Sequence, residues 1–205
     1  MTTAMTVTYR VEEGLYVNMT NRCTNSCDFC IRNNGDGAYG SESLWLTREP
    51  SVEQTVAEIL AKLPEGYREL VFCGYGEPSV RLPDCRAVAL AVKEKYPDLP
   101  VRINTNGHSD LIFGENTAHL YSGAFDTVSI SLNAPTAEEY DAMCHPVYGK
   151  AAFSAILKFA MNVKNCVHSV VLSVVRETVS PEELSACEKI AAECGVSLKV
   201  RALIK

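Results

Sequence analysis

Three cysteines stand close together near the N-terminus, at Cys23, Cys27 and Cys30, with the spacing C-x3-C-x2-C. Three thiolates within eight residues can converge on one metal centre. A structural zinc site normally takes four protein ligands, and no second C-x2-C or H-x3-H follows to complete one. A cubane iron–sulfur cluster ordinarily takes four cysteines, so three would leave one iron open to a substrate or cofactor. The spacing favours a cluster and leaves zinc or a chance pattern open.

A second string with chemical potential is CGYGEP at residues 73–78, which follows a strand-like run. Glycine has no Cβ, so Gly74 and Gly76 would let backbone carbonyls come close to a small ligand. A plain Gly-Pro turn after a strand accounts for the same residues. The string therefore indicates a site only together with the cysteines.

Regular elements must position both strings, and the chain alternates between strand-like and helix-like runs. The predicted strands cover residues 15–20, 69–75, 101–105, 127–133, 170–175 and 197–204. The predicted helices cover residues 51–63, 82–96, 110–122, 136–143, 151–163 and a last segment between Ser180 and Gly195. This alternation predicts an α/β fold with parallel strands buried by helices. An open doubly wound sheet and a partial barrel both fit, and both place sites at the C-terminal ends of strands.

Composition narrows the class of protein. The chain has 205 residues, 47% of them hydrophobic, which excludes disorder and a disulfide-dependent mini-protein. A net charge of −6 gives no strong positive field to attract phosphate backbones, so we do not expect a nucleic-acid partner. The sequence shows neither a signal-peptide core nor a run long enough to span a membrane, so we expect a cytoplasmic protein without a membrane partner. In a reducing compartment its nine cysteines should not form disulfides.

The cysteine string, with Phe29 as the aromatic residue of C-x3-C-x-aromatic-C, resembles the signature of the radical S-adenosylmethionine (SAM) superfamily. The resemblance implies a partial (β/α)6 barrel with parallel strands, in which the cluster loop, here residues 21–50, follows the first strand. It covers residues 1–205 as a single core domain. The string at residues 73–78 is similar to the family's GGE-type motif, with Tyr75 inserted between its two glycines.

This resemblance implies the chemistry of the site. Cys23, Cys27 and Cys30 would hold three irons of a [4Fe-4S] cluster, and the amino and carboxylate groups of SAM would chelate the fourth. One electron, from an external donor of the flavodoxin or ferredoxin type, would then cleave SAM to a 5′-deoxyadenosyl radical that abstracts hydrogen from a substrate. The backbone of residues 74–76 and the Glu77 carboxylate would accept hydrogen bonds from the SAM ammonium group.

Polar residues at other strand ends are further candidates for cofactor binding. Asn106 belongs to a TNG run that resembles one found in many radical SAM proteins, although turn chemistry explains Asn-Gly equally well. Ser131 and Asn133 share one strand face and could meet SAM, or be satisfied by water. Arg176 could meet the SAM carboxylate or an anionic substrate, or form a surface ion pair, and Lys199 and Arg201 have the same ambiguity.

Several other residues receive weaker predictions. Cys85, Cys166, Cys187 and Cys194 fit core packing, whereas Cys73 and Cys144 have no assigned role. His108 and His145 are weak site candidates. The long polar stretch at residues 31–50 is expected to cover the cluster mouth or to dock a partner, with Trp45 as its anchor.

The substrate is left open by the sequence. The strings MTNRCTNSCDFCIRN and FCGYGEPSVR look most like the TatD-associated radical SAM family. Two alternatives are a protein substrate, as in glycyl-radical activating enzymes, and a small molecule, as in carboxy-deazaguanine synthase. A metal-binding regulatory module without turnover is the non-enzymatic alternative.

Overall fold

The computed structural model describes residues 5–204, and its strands form one sheet in which spatial order follows chain order. Strands β2 to β7 pair in parallel, which requires a crossover between each successive pair. The strands are β1 (Thr8–Val11), β2 (Gly14–Val17), β3 (Glu69–Phe72), β4 (Val101–Thr105), β5 (Thr127–Ser131), β6 (Ser169–Val175) and β7 (Ser197–Arg201).

The helices supply these crossovers. They are α1 (Val52–Lys62), α2 (Leu82–Lys95), α3 (Ser109–Phe113), α4 (Ala137–Cys144), α5 (Ala151–Val163) and α6 (Pro181–Cys194). β1 and β7 stand at the two ends of the strand order and are not paired with each other, so the sheet does not close. The predicted fold class, an α/β partial barrel with parallel strands, is confirmed. No described helix has the length and apolar character needed to cross a membrane.

The helix ends follow from local sequence. The Ser51 side chain accepts a hydrogen bond from the backbone N–H of Gln54, and the Gln54 side chain accepts one from the backbone N–H of Ser51. Ser180 and Glu183 form the same capping box. Gly195 ends α6 in the left-handed conformation, with φ of 69°. These caps fix where the crossovers begin and end, as the sequence predicts.

The structure adds one strand to the predicted elements and shortens three of them. β1 is absent from the sequence interpretation, yet it forms an antiparallel hairpin with β2 and brings Tyr9 beside Tyr16. The predicted helix over residues 110–122 ends at Phe113, because Gly114 takes a left-handed φ of 71°. The predicted strands 69–75 and 127–133 also end early, at Phe72 and Ser131, and their remaining residues form the site loops.

Candidate functional site

A cavity of about 380 Å³ lies on the concave side of the sheet, at the C-terminal ends of the strands. It is lined by most of the residues that the sequence singles out as site candidates, namely Cys23, Cys27, Phe29, Cys30, Gly74, Tyr75, Glu77, Asn106, Ser131 and Asn133. Residues from three different strand ends and from the cysteine loop therefore meet in one place. Gly76 and Arg176 do not line the cavity.

The cysteine loop is bound along its length to the C-terminal end of α4 and to the residues that follow it. Ser26 N–H donates to the Cys144 carbonyl at 2.9 Å, and Asp28 N–H donates to the Met143 carbonyl at 3.1 Å. Val147 N–H donates to the Thr24 carbonyl at 2.9 Å. Three backbone hydrogen bonds thus set the path of the loop.

A buried side-chain network holds the same loop from behind. Thr24 Oγ1 lies 2.9 Å from Nδ1 of His108 and accepts a hydrogen bond from Asn106 Nδ2 at 2.8 Å. His108 Nε2 lies 3.2 Å from the Tyr140 hydroxyl, which accepts a hydrogen bond from Asn25 Nδ2 at 2.8 Å. The two residues after Cys23 are therefore fixed by groups from β4 and α4.

His108 stays neutral in this network. It is fully buried, and burial lowers its pKa to about 4. A neutral imidazole can accept at one nitrogen and donate at the other, which matches its two hydroxyl partners. The sequence suggests only a weak site role for His108, and the structure gives it a positioning role for the cysteine loop.

Glu77 joins the ends of β3 and β4. Its carboxylate accepts hydrogen bonds from Ser79 N–H at 2.9 Å, from the Thr105 hydroxyl at 2.7 Å and from Asn106 N–H at 2.6 Å. Burial raises the pKa of Glu77, and these hydrogen bonds oppose the rise because they favour the carboxylate. A carboxylate has about four acceptor positions, so at least one remains for a donor in the cavity.

The two motif glycines have a packing role that the sequence does not reveal. A Cβ at Gly74 would overlap the Asn18 side chain, and a Cβ at Gly76 would overlap the Thr20 carbonyl. Both contacts are with the chain that leads from β2 into the cysteine loop. Gly76 therefore permits close backbone packing under the loop, and of the two glycines only Gly74 also lines the cavity.

The cysteine thiols lie in a protected environment. Burial raises the pKa of Cys23 to about 12, and the nearby Glu77 adds to the rise. A hydrogen bond with the Cys144 thiol, together with burial, raises the pKa of Cys27. Cys144 in turn accepts from Asn133 Nδ2 at 3.4 Å. Cys144, for which the sequence indicates no role, thus contacts the candidate ligand Cys27.

The donor set fits an iron–sulfur cluster by its chemistry. Within residues 5–204, no three side chains of His, Cys, Asp or Glu converge on one metal-sized point. The three thiols nevertheless line one cavity, and thiolates are the ligands of iron–sulfur clusters. Two buried oxygens in that cavity, Asn25 Oδ1 and Asn133 Oδ1, have no partner among the described residues. An unpartnered buried acceptor costs about 1–3 kcal/mol, so both are suited to accept from a bound ligand.

The long loop at residues 31–50 forms one wall of the cavity. The Tyr75 hydroxyl donates to the Gly35 carbonyl at 2.7 Å, and Asn18 Nδ2 donates to the Leu44 carbonyl at 2.7 Å. Leu44 is buried, whereas Trp45 remains 40% exposed and packs edge-on against Tyr75 at 5.1 Å. The buried anchor of the loop in this structure is therefore Leu44, and not Trp45.

The other candidate residues divide between cavity and surface. Arg176 is exposed, in a short 3-10 turn after β6, so the structure does not bring it to the cavity as expected. His145 is also outside and pairs with Asp28 at 2.8 Å. Cys73 lines the cavity, as do residues that the sequence interpretation did not single out, namely Tyr9, Tyr16, Asn25, Arg102 and Asn104. Alternation within VRINT, residues 101–105, was the available signal for the last two.

Comparison with known proteins identifies the family. The model of the radical SAM superfamily matches residues 17–189, and the chain belongs to this superfamily. It is 32% identical over 139 residues to GTP 3′,8-cyclase of Corynebacterium glutamicum, an alignment that covers 64% of this chain and 33% of the relative. The chain thus matches about a third of that relative's length.

Solved structures show the same fold. SuiB of Streptococcus suis bound to the precursor peptide SuiA has a TM-score of 0.66 at 15% identity, covering 92% of this chain and 38% of SuiB. SuiB bound to S-adenosylmethionine gives 0.65 at 16% identity, covering 93% and 38%. The hydrogenase maturase HydG of Carboxydothermus hydrogenoformans gives 0.62 at 17% identity, covering 93% and 44%. Members of this superfamily use a [4Fe-4S] cluster and SAM as cofactors.

Proposed function

We propose that Cys23, Cys27 and Cys30 hold the [4Fe-4S] cluster and that the enzyme cleaves SAM reductively to abstract hydrogen from a small-molecule substrate. When bound, the cluster supplies one electron to the sulfonium of SAM. The observation that carries the proposal is the meeting of the three thiols with Glu77 and Asn133 on one cavity. The metal-binding regulatory module is not favoured, because superfamily membership implies turnover.

The remaining groups of the cavity fit the parts of SAM. The free acceptor position of Glu77 suits the ammonium group, and the unpartnered Asn133 Oδ1 suits a ribose hydroxyl or the same ammonium. Phe29, half-buried beside Cys30, offers an apolar surface to the adenine ring. The Asn106 side chain already binds Thr24, so its contribution is to position the cysteine loop.

A small substrate is favoured by the wall that residues 31–50 build over the cavity. The buried Leu44 and the Tyr75 hydrogen bond hold this wall closed against the sheet. A flexible polypeptide would require the wall to open, and the glycyl-radical activating alternative is therefore the weaker one. We also propose that the chain belongs to the TatD-associated radical SAM family and that residues 1–205 form a single domain.

The test is anaerobic reconstitution with iron and sulfide, reduction by dithionite, addition of SAM and detection of 5′-deoxyadenosine. We expect the wild-type protein to show the absorbance of a [4Fe-4S] cluster and to form 5′-deoxyadenosine. Cys27→Ala should lose both, while Cys166→Ala, which changes a half-buried cysteine outside the cavity, should keep both. A colourless zinc protein, or a loaded cluster that never cleaves SAM, would overturn the proposal.

A further inference from the structure

Two cations on β7, the last strand of the sheet, face the cavity. Lys199 and Arg201 alternate along the strand with Leu198 and Val200, which pack against the core, so the two charged residues share the concave face. The register places Lys199 beside Ser173 and Arg201 beside Val175. Both cations therefore belong to the wall of the cavity.

Neither cation has a counter-ion in the described part of the chain. The third cation of the cavity, Arg102, is paired with Glu69 at 2.6 Å, whereas Lys199 and Arg201 form no ion pair or side-chain hydrogen bond within residues 5–204. The acidic group in the wall, Glu77, is already held by three hydrogen bonds. Two uncompensated positive charges remain in a chain whose net charge is −6.

Neutral hydrogen-bonding groups lie next to these cations. The inward side chains of β5 and β6 include Ser129, Ser131 and Ser173, and they adjoin Lys199 through the pairing of Ser131 with Ser173 and of Ser173 with Lys199. Ser129 and Ser131 donate to no described group, so their hydroxyls are free to bind a ligand. Cations beside hydroxyls form a surface that suits the oxygens of a phosphate or a carboxylate.

We infer that Lys199 and Arg201 bind the carboxylate or phosphate group of a small polar substrate, which lies on the concave face beyond the SAM site. This inference rests on the proposed function, because it assigns the hydrogen-bond acceptors near the cysteines to SAM binding. The serine hydroxyls of β5 complete the site by hydrogen bonding to the body of the substrate. SAM also carries a carboxylate, so the test must separate the two sources of anion.

The experiment measures binding of inorganic pyrophosphate to the cluster-loaded protein by calorimetry, with and without saturating SAM. We expect saturable binding in both cases, weakening as salt is added. Lys199→Met combined with Arg201→Met should weaken pyrophosphate by about tenfold or more and change SAM affinity by less than about twofold. When Arg201→Lys replaces Arg201→Met in this double variant, part of the affinity for pyrophosphate should return.

Lys189→Met is the matched control, since Lys189 is an exposed lysine of α6 outside the cavity. Absence of saturable pyrophosphate binding would overturn the inference, as would an equal effect of the control. A double variant that weakens SAM as much as pyrophosphate would assign the cations to the SAM carboxylate and also overturn it. Formation of 5′-deoxyadenosine is measured on the same samples, so a failure of the proposed function is seen separately from a failure of anion binding.

Discussion

The two faces of the sheet carry different kinds of side chain although they belong to the same strands. The convex face, under the helices, is formed by fully buried apolar residues such as Phe72, Ile103, Ile130 and Leu172. The concave face presents the serines, asparagines and cations of the cavity. Period-two alternation along each strand separates a face that supplies stability from a face that supplies binding. Substitution of a residue on the convex face should therefore lower stability, whereas substitution of its neighbour on the concave face should change binding.

The largest contrast is expected between neighbours on β5. Ile130→Ala removes a fully buried side chain and should lower the free energy of unfolding by about 2–5 kcal/mol. Ser131→Ala, on the concave face, should change it by less than about 0.5 kcal/mol. Urea unfolding of both variants measures the difference, and equal losses would remove the distinction between the faces.

The next effect concerns pH and the network behind the cysteine loop. His108 has a pKa of about 4 when folded, below the value of about 6.5 for a free histidine. The unfolded chain therefore binds more protons between these values, and the folded state loses stability as the pH falls through that window. The loss should reach about 3 kcal/mol by pH 4.

The comparison uses metal-free protein, so that acid does not act through the cluster. His108→Gln should lack this part of the pH dependence, while His119→Gln, which changes an exposed histidine, should keep it. Urea unfolding at several pH values between 7.5 and 4 measures both. The same pH slope in His108→Gln and wild type would contradict the assignment.

A smaller effect is expected at the junction of the two faces, where Glu77 ties β3 to β4. The amide of Glu77→Gln cannot accept a hydrogen bond at its nitrogen, so one of three buried partners is left unpaired. We expect a loss of about 1–3 kcal/mol in stability together with weaker SAM binding. Glu138→Gln, at an exposed ion pair with Lys150, is the control and should change neither beyond about 0.5 kcal/mol.

The smallest effect belongs to the wall over the concave face. Tyr75→Phe removes the hydrogen bond to the Gly35 carbonyl and should raise the open population of residues 31–50 by about fivefold. Trypsin cleavage after the exposed Arg48 measures this opening. Tyr67→Phe, which removes an exposed hydrogen bond to Glu65, is the matched control. Unchanged cleavage in Tyr75→Phe would show that Leu44 alone holds the wall.

Much of the convex face could be predicted from the sequence, because periodicity and capping are local properties. The capping box at Ser51 and the alternation of β5 both appear in the structure where the sequence indicates them. The sequence does not reveal β1, because four residues are too few to show a clear alternation and the strand is defined by its antiparallel pairing with β2.

The concave site was predictable where a motif marks it and not where distant residues meet. The cysteine string and CGYGEP lead to the cavity, whereas the contact of His108 with Thr24 joins residues 84 positions apart. Arg176 was expected at the site because it ends a strand, but the chain turns after Val175 and leaves it exposed. The direction of a strand predicts at which edge of the sheet its last residue lies, but it does not predict where the turn after the strand places the next side chain.

The attachment of the cysteine loop to α4 and to the residues that follow it has a consequence for the order of assembly. Thr24 and Asn25 gain these partners from the second half of the chain, Thr24 from Asn106, His108 and Val147 and Asn25 from Tyr140. During synthesis the three cysteines leave the ribosome long before the residues that shape their loop. Delivery of iron and sulfide to a correctly shaped site must therefore wait until the second half of the chain has been made, which leaves a period in which exposed thiols need protection from oxidation.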